Sequence, residues 1–372
     1  MATFSLKMID RTKLRKLAEV IVNYSLELKK GENLVLKGHG FDTYPLVKEV
    51  FREAIRVGAN VDVRFGTNEL GRIFMEEASD SQIKHVTNLD KQVVKSYDAM
   101  VQIVGYENRY EMNGVAGEKQ AMRALALKPL GDILQEKKWC LLYYPNAASA
   151  AVAQWPTEEW EDFVMDSCLL DWKKVEKLEE KFIDLLKKVS DVRVVGEETD
   201  LSLSIKGQKW RACCGKRNLP DGEVFTGPVR NSVNGVIRYN TPSHYSGHDF
   251  GWVKLWIENG RVVREESDNL AGLQEILATD KGARYFGEFA FGLNKNIKKP
   301  TKMILFDEKM EKSLHMALGK CYKECPNGND SAIHWDLILR FKEAKVRVYF
   351  DGVEVFGGGK WKGKFEFLNK SF

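Results

Sequence analysis

The sequence predicts two domains: an N-terminal α/β domain on a parallel sheet, then a strand-rich α+β domain. Three observations carry this. At 372 residues the chain exceeds the usual reach of one hydrophobic core. Its first half alternates helical periodicity with short apolar runs of strand character. Near residue 190 the texture changes to short alternating strands separated by turns. The change falls at about Val189 to Val194, giving domains 1–190 and 191–372.

The elements follow in order. Asp10 is placed to cap a helix with apolar positions Leu14, Leu17, Ile21, Val22 and Leu26, and Gly31 sits where that helix is expected to end. "NLVLKG" reads as a strand, "YPLVKEVFREAIRVG" as an amphipathic helix and "ANVDVRFG" as a strand. This is a β-α-β unit, which requires parallel pairing. "AMVQIVG" and "WCLLYYP" read as further buried strands, and helices fit through "TEEWEDFVMDSCLLDWKKVEKLEEKFIDLLKKV". Beyond the boundary, "EETD", "IKGQ", "LPDG" and "IENGR" are turn signals between short strands.

Charge and composition exclude several classes. Lys and Arg number 57 against 53 Asp and Glu, a net +4, which gives no reason to expect nucleic acid or an acidic membrane as partner. No run of 18 apolar residues occurs, so no membrane span is expected. The charged N-terminus does not read as a signal peptide. Six scattered cysteines fit free thiols in a reducing cytosol, so the expected location is cytoplasmic.

Chemistry-bearing residues concentrate in the second domain. In "SAIHWDLIL", strand alternation puts His334 and Asp336 on one face and Ile333, Trp335 and Leu337 on the other. Imidazole and carboxylate on one face form a metal chelate or, more plainly, a hydrogen-bonded pair. "SLHMALGKCY" has helical spacing with Ser313 as a cap. His315 and Tyr322 then share a helix face with Gly319 between them, and a core histidine is the plainer alternative. Glu223 opens "EVFTGPV" and Glu288 lies among aromatics in "YFGEFAFG". Glutamate is unusual in such strands unless it is exposed or paired. Two divalent ions bring four positive charges. Glu223, Glu288 and Asp336 supply three negative ones, and a hydroxide balances the rest.

Several blocks in order resemble one known family: "TDLSLSIKGQKW", "NLPDGEVFTGPV", "GARYFGEFAFGLN", "ILFDEK", "LHMALGKCY" and "NDSAIHWD". They look like successive blocks of the aminopeptidase T/aminopeptidase S family of dinuclear metallopeptidases, and "WCLLYYPNAASAAVAQWPTEEWEDF" is similar to its preceding segment. The resemblance implies that 191–372 is the metal-binding catalytic domain. It makes Glu223 the first glutamate ligand and Glu288 the carboxylate bridging both metals. It also makes His315 and Tyr322 the pair of an "H-x-A-x-G-x-x-Y" helix, and His334 and Asp336 the "H-x-D" ligands. Glu308, in "FDEK", matches an acidic position near the metals.

The implied activity is release of N-terminal residues from short peptides with a free N-terminus. A metal-bridging water attacks the first carbonyl, Tyr322 meets the oxyanion or a metal, and Glu288 steers the water's proton. The implied cofactors are two divalent ions, Zn²⁺, Co²⁺ or Mn²⁺, and the implied assembly is a homodimer. Two alternatives keep the same residues. A mononuclear iron(II) ring-cleaving dioxygenase needs only His315, His334 and Asp336, so Glu223 and Glu288 weigh against it. A metal-dependent peptide-binding protein without turnover predicts the same ligands. His244 and His248, in "SHYSGHDFG", are candidates for a cavity wall or exposed loop residues. Cys321 and Cys325, four apart, read as free thiols rather than a zinc pair, and adjacent Cys213 and Cys214 carry no motif. "GHGFD" lacks the third glycine of a phosphate loop.

Overall fold

A computed structural model describes residues 9–105 and 107–370. The charged segment before residue 9 lies outside the described residues. The chain divides into two compact units. The first runs through Leu169 and includes Gly215–Leu219; the second comprises Leu170–Cys214 and the chain from Pro220. The change of texture near residue 190 lies within the second unit.

The first unit is α/β. Strands β1 (Asn33–His39), β2 (Asn60–Gly66), β3 (Ala99–Val104) and β4 (Lys138–Tyr143) form a parallel sheet in the order β2-β1-β3-β4, extended by the short strand Asn218–Leu219. Leu34, Leu36, Val101, Ile103 and Leu142 are buried, as strands covered by helices require. Helix α1 (Arg11–Glu19) is capped by Asp10, whose side chain accepts from the Thr12 amide. It continues as a π-helical turn over Val20–Ser25 and stops there, short of Gly31. Helix α2 (Tyr44–Val57) joins β1 to β2 and ends at Gly58, whose φ of 84° is the left-handed cap that glycine takes without steric cost. Among the described residues no helix is long and apolar enough to cross a membrane.

The second unit holds two antiparallel sheets. An eight-stranded sheet runs in the order Arg261–Ser267, Val253–Glu258, Asn234–Tyr239, Thr199–Ser204, Asp191–Gly196, Arg347–Phe350, Val353–Gly357, Lys360–Trp361. A five-stranded sheet contains β5 (Trp210–Cys213), β6 (Glu223–Thr226), β7 (Phe286–Gly292), β8 (Ser313–Gly319) and β9 (His334–Arg340), in the order β9-β8-β7-β6-β5. One core joins both sheets: Val192, Val194, Leu201 and Leu255 from the larger, and Phe289, Phe291, Leu314, Met316, Trp335 and Leu337 from the smaller. Helix α3 (Trp172–Leu186) adds Phe182, Ile183 and Leu186 to it. Asp171 starts that helix by accepting from the Lys174 amide, which breaks the long helical stretch at residues 169–171. Each such side chain contributes roughly 1.5–3 kcal/mol by leaving water.

The expected helix over "SLHMALGKCY" is instead strand β8, paired with β7 on one side and β9 on the other. All seven of its residues are buried. A central strand buried on both faces reads as a continuous apolar run, and periodicity alone does not separate it from a buried helix.

Candidate metal centre

Strand register brings the five predicted ligands together. Across the sheet, Glu288 pairs with Ala317 and Ala317 with Asp336. Two rows further along, His315 pairs with Ala290 on one side and Ile338 on the other. Glu223 pairs with Gly292, and His334 with Gly319. Side chains alternate along each strand, so Glu223, Glu288, His315, His334 and Asp336 share the face opposite the core. The neighbours between them, Ala290, Gly292, Ala317 and Gly319, are small. They form a low floor over which the long side chains converge.

Glu288 reaches this face through a β-bulge. The pairing of β7 with β8 shifts register between Phe286 and Glu288, leaving Gly287 as the extra residue. Phe286 therefore enters the core while Glu288 turns to the site. A Cβ on Gly287 would overlap the carbonyls of Gly319 and Lys320, so this bulge accepts only glycine without rearrangement.

The ligand atoms fall into two overlapping groups. Those of Glu223, Glu288 and His315 lie within 4.8 Å of one another, and so do those of Glu288, His334 and Asp336. His315 Nε2 is 3.3 Å from Glu223 Oε2 and 3.5 Å from Glu288 Oε1. His334 Nε2 is 3.2 Å from Glu288 Oε2 and 3.6 Å from Asp336 Oδ1. The His334 Nδ1–H donates to the Lys320 carbonyl at 2.7 Å, which fixes the ring and turns Nε2 inward.

The protonation pattern reflects this crowding. Burial opposes the charge on His315, but Glu288, Glu223 and Asp336 outweigh it and raise the ring to about 9. His334 is raised as well, by Asp336 and Glu288 against the same opposition from burial. Burial works against ionised Asp336 and Glu288 too, yet the two histidines hold both carboxyls below their usual range. In the metal-free chain, two imidazolium rings thus stand where cations belong.

The donors fit divalent metal. Glu223 Oε2, His315 Nδ1, His334 Nε2 and Asp336 Oδ1 are buried and make no hydrogen bond. A polar atom left so costs about 1–3 kcal/mol, which coordination by the three inward-facing atoms would relieve. Nitrogen and carboxylate donors suit zinc, cobalt or manganese.

Other predicted residues stand around this group. Tyr322, in the turn after β8, is 44% exposed. Its ring packs 5.3 Å from Phe225 and 4.7 Å from His334, centroid to centroid. Desolvation of the phenol, then Glu288 and Asp336, keep its proton on. Glu308 is half-buried and lies outside both groups, 2.7 Å from the Lys309 ammonium. Burial, then Glu223 and Asp336, raise its carboxyl against the pull of Lys309. His244 and His248 lie on a hairpin, facing Asp249 and Glu275, and belong to neither ligand group. The same hairpin's Tyr245 accepts from the His334 amide through its hydroxyl. The six cysteines form no disulfide, and Cys321 and Cys325 form no metal group among the described residues.

Two features escape sequence reasoning. Lys309, only 2% exposed on its side chain, contacts Glu223 Oε1 directly and lies 3.6 Å from Asp221 Oδ1. The available signal was its place in "MILFDEKM", an apolar run where a lysine needs an acidic partner. Asp221 was hidden in "PDG", whose composition reads as a turn. Cys213, Asp221 and Glu223 form a third compact group beside the first.

The family model described as thermophilic metalloprotease (M29) matches residues 10–361. The chain belongs to this family. Among relatives of this metalloprotease, aminopeptidase T of Thermus thermophilus is 26% identical, covering 94% of this chain and 98% of that protein. Aminopeptidase AmpS of Bacillus subtilis is 25% identical over the same shares. The solved structure of wild-type AmpT from Thermus thermophilus superimposes with a TM-score of 0.83 at 23% identity, over 95% of this chain and all of that one. The structure of 2,5-dihydroxypyridine dioxygenase from Pseudomonas putida shares the fold, with a TM-score of 0.60 at 13% identity over 96% of this metalloprotease and all of that chain.

Proposed function

We propose that this metallopeptidase removes N-terminal residues from short peptides at a two-metal centre. Glu223, Glu288 and His315 hold one ion, and Glu288, His334 and Asp336 hold the other. The carrying observation is that two three-residue donor groups share Glu288. When bound, the ions supply a water of lowered pKa and polarise the scissile carbonyl. Glu288, common to both donor groups, would offer one carboxylate oxygen to each ion. His334, oriented by the Lys320 carbonyl, presents a single nitrogen to its ion. Tyr322, with its proton retained, donates to the oxygen on which charge develops. Glu308, whose carboxyl is raised by burial and which is paired with Lys309, is the group we assign to carry a proton.

Zinc, cobalt or manganese as metal, a homodimer as assembly and the cytoplasm as location complete the reading. It is tested with aminoacyl chromogenic substrates after metal reconstitution. Turnover with about two ions per chain supports it. Oxygen-dependent ring cleavage with one iron, or peptide binding without hydrolysis, contradicts it.

A further inference from the structure

The third donor group, Cys213, Asp221 and Glu223, already has a cation beside it. Lys309 Nζ contacts Glu223 Oε1, lies 2.7 Å from Glu308 Oε1 and lies 3.6 Å from Asp221 Oδ1. The side chains of Lys309, Asp221 and Glu223 are 2%, 3% and 6% exposed, so water screens these charges little. The lysine is anchored at its backbone: its amide donates to Phe306 and its carbonyl accepts from Asn294. Asn294 in turn donates through its side chain to the Asp221 carbonyl. The ammonium is therefore built in.

Two consequences follow. An ion entering the Cys213–Asp221–Glu223 group would sit against a fixed positive charge. Glu223 also has one oxygen committed to Lys309, leaving Oε2 for His315 and a metal. Among the described residues, no lysine forms an ion pair with Glu288 or Asp336 at the second ion position. We propose that Lys309 is an internal cation that closes the cysteine-containing group to metal and makes the Glu223–Glu288–His315 position the weaker, later-filled of the two. The inference rests on the two-metal reading and assigns an order of filling within it.

The test uses Co²⁺ alone, titrated into the metal-free full-length chain and followed by calorimetry and by the visible cobalt spectrum. Wild type is expected to fill in two steps whose affinities differ by about tenfold or more. Glu223→Gln should weaken the second step and spare the first. Lys309→Met should tighten the second step by about tenfold or more, and Lys309→Gln, which keeps a donor and a similar length, should move it the same way. A cobalt–thiolate band seen in the lysine variants but not in wild type would show the third group opening and supports the proposal. Equal steps in wild type, a thiolate band in wild type, or a second step unmoved in both folded lysine variants would overturn it. Because wild type is itself a measurement, a misfolded variant does not rescue the idea. Equal steps would remove this inference and leave the two-metal reading standing; absence of Co²⁺ uptake would remove both.

Discussion

Glu288 meets two histidines with its two carboxylate oxygens: Oε1 lies 3.5 Å from His315 Nε2 and Oε2 lies 3.2 Å from His334 Nε2. The two rings come from adjacent strands of one sheet, and the carboxylate comes from a third. A single side chain thereby couples two donor groups.

Glu288→Ala is expected to strip at least one ion from each chain and reduce hydrolysis to background. Two cations about 3.5–4 Å apart lose the anion that offsets their repulsion. Metal analysis after reconstitution checks this. The first unit should keep its fold, because Glu288 belongs to the second.

Tyr322→Phe removes one hydroxyl and keeps the ring packed edge-on to Phe225 and tilted against His334. The expected loss is in kcat, by roughly 10²–10³-fold, with KM little changed. An equal loss of bound metal would instead make Tyr322 a ligand.

Gly287→Ala tests the bulge. The new methyl must push aside the backbone at Gly319 and Lys320, at a cost of about 1–3 kcal/mol in stability. Glu288 should be displaced with it, so metal affinity should fall as well. Thermal unfolding with and without metal separates the two effects: the destabilisation should be larger when metal is present.

How far the site was legible depended on periodicity. The alternation in "HWD" was enough to place His334 and Asp336 on one face, because its polar and apolar residues alternate with the strand period of two. The same logic failed for "SLHMALG", where both faces are buried and the alternation carries no polarity signal. The β-α-β pattern of the first half was readable because its helix is amphipathic and ends at a glycine. Lys309 was not readable. Its partners Glu223 and Asp221 are nearly ninety residues away, and only the packed chain brings them to it. The bulge at Gly287 was equally hidden, since one glycine between two aromatics does not reveal which neighbour faces inward.

The metal-free chain should lose stability as pH rises. His315 is raised from 6.5 to about 9 in the folded chain, and His334 is raised too. A raised imidazole stabilises the fold fully below its unfolded value and loses that contribution as pH climbs through the folded value. The raised carboxyls of Asp307 and Glu308 act in the same direction, disfavouring the fold once pH exceeds their unfolded values. The depressed carboxyl of Asp336 matters only at the acid end, where its contribution is lost as pH falls. Each pKa unit corresponds to about 1.4 kcal/mol, so the decline is a few kcal/mol. Calorimetry in chelator should show a falling Tm between pH 6.5 and 9. With metal bound, both rings are neutral ligands and their share of the decline should vanish.

The most direct measurement is anomalous diffraction at the cobalt edge from crystals of the reconstituted chain. Two peaks are expected, one beside Glu223 and His315 and one beside His334 and Asp336, with Glu288 between them. A single peak bounded by His315, His334 and Asp336, with Glu223 left on Lys309 and Glu288 outside the coordination sphere, would contradict the two-metal centre.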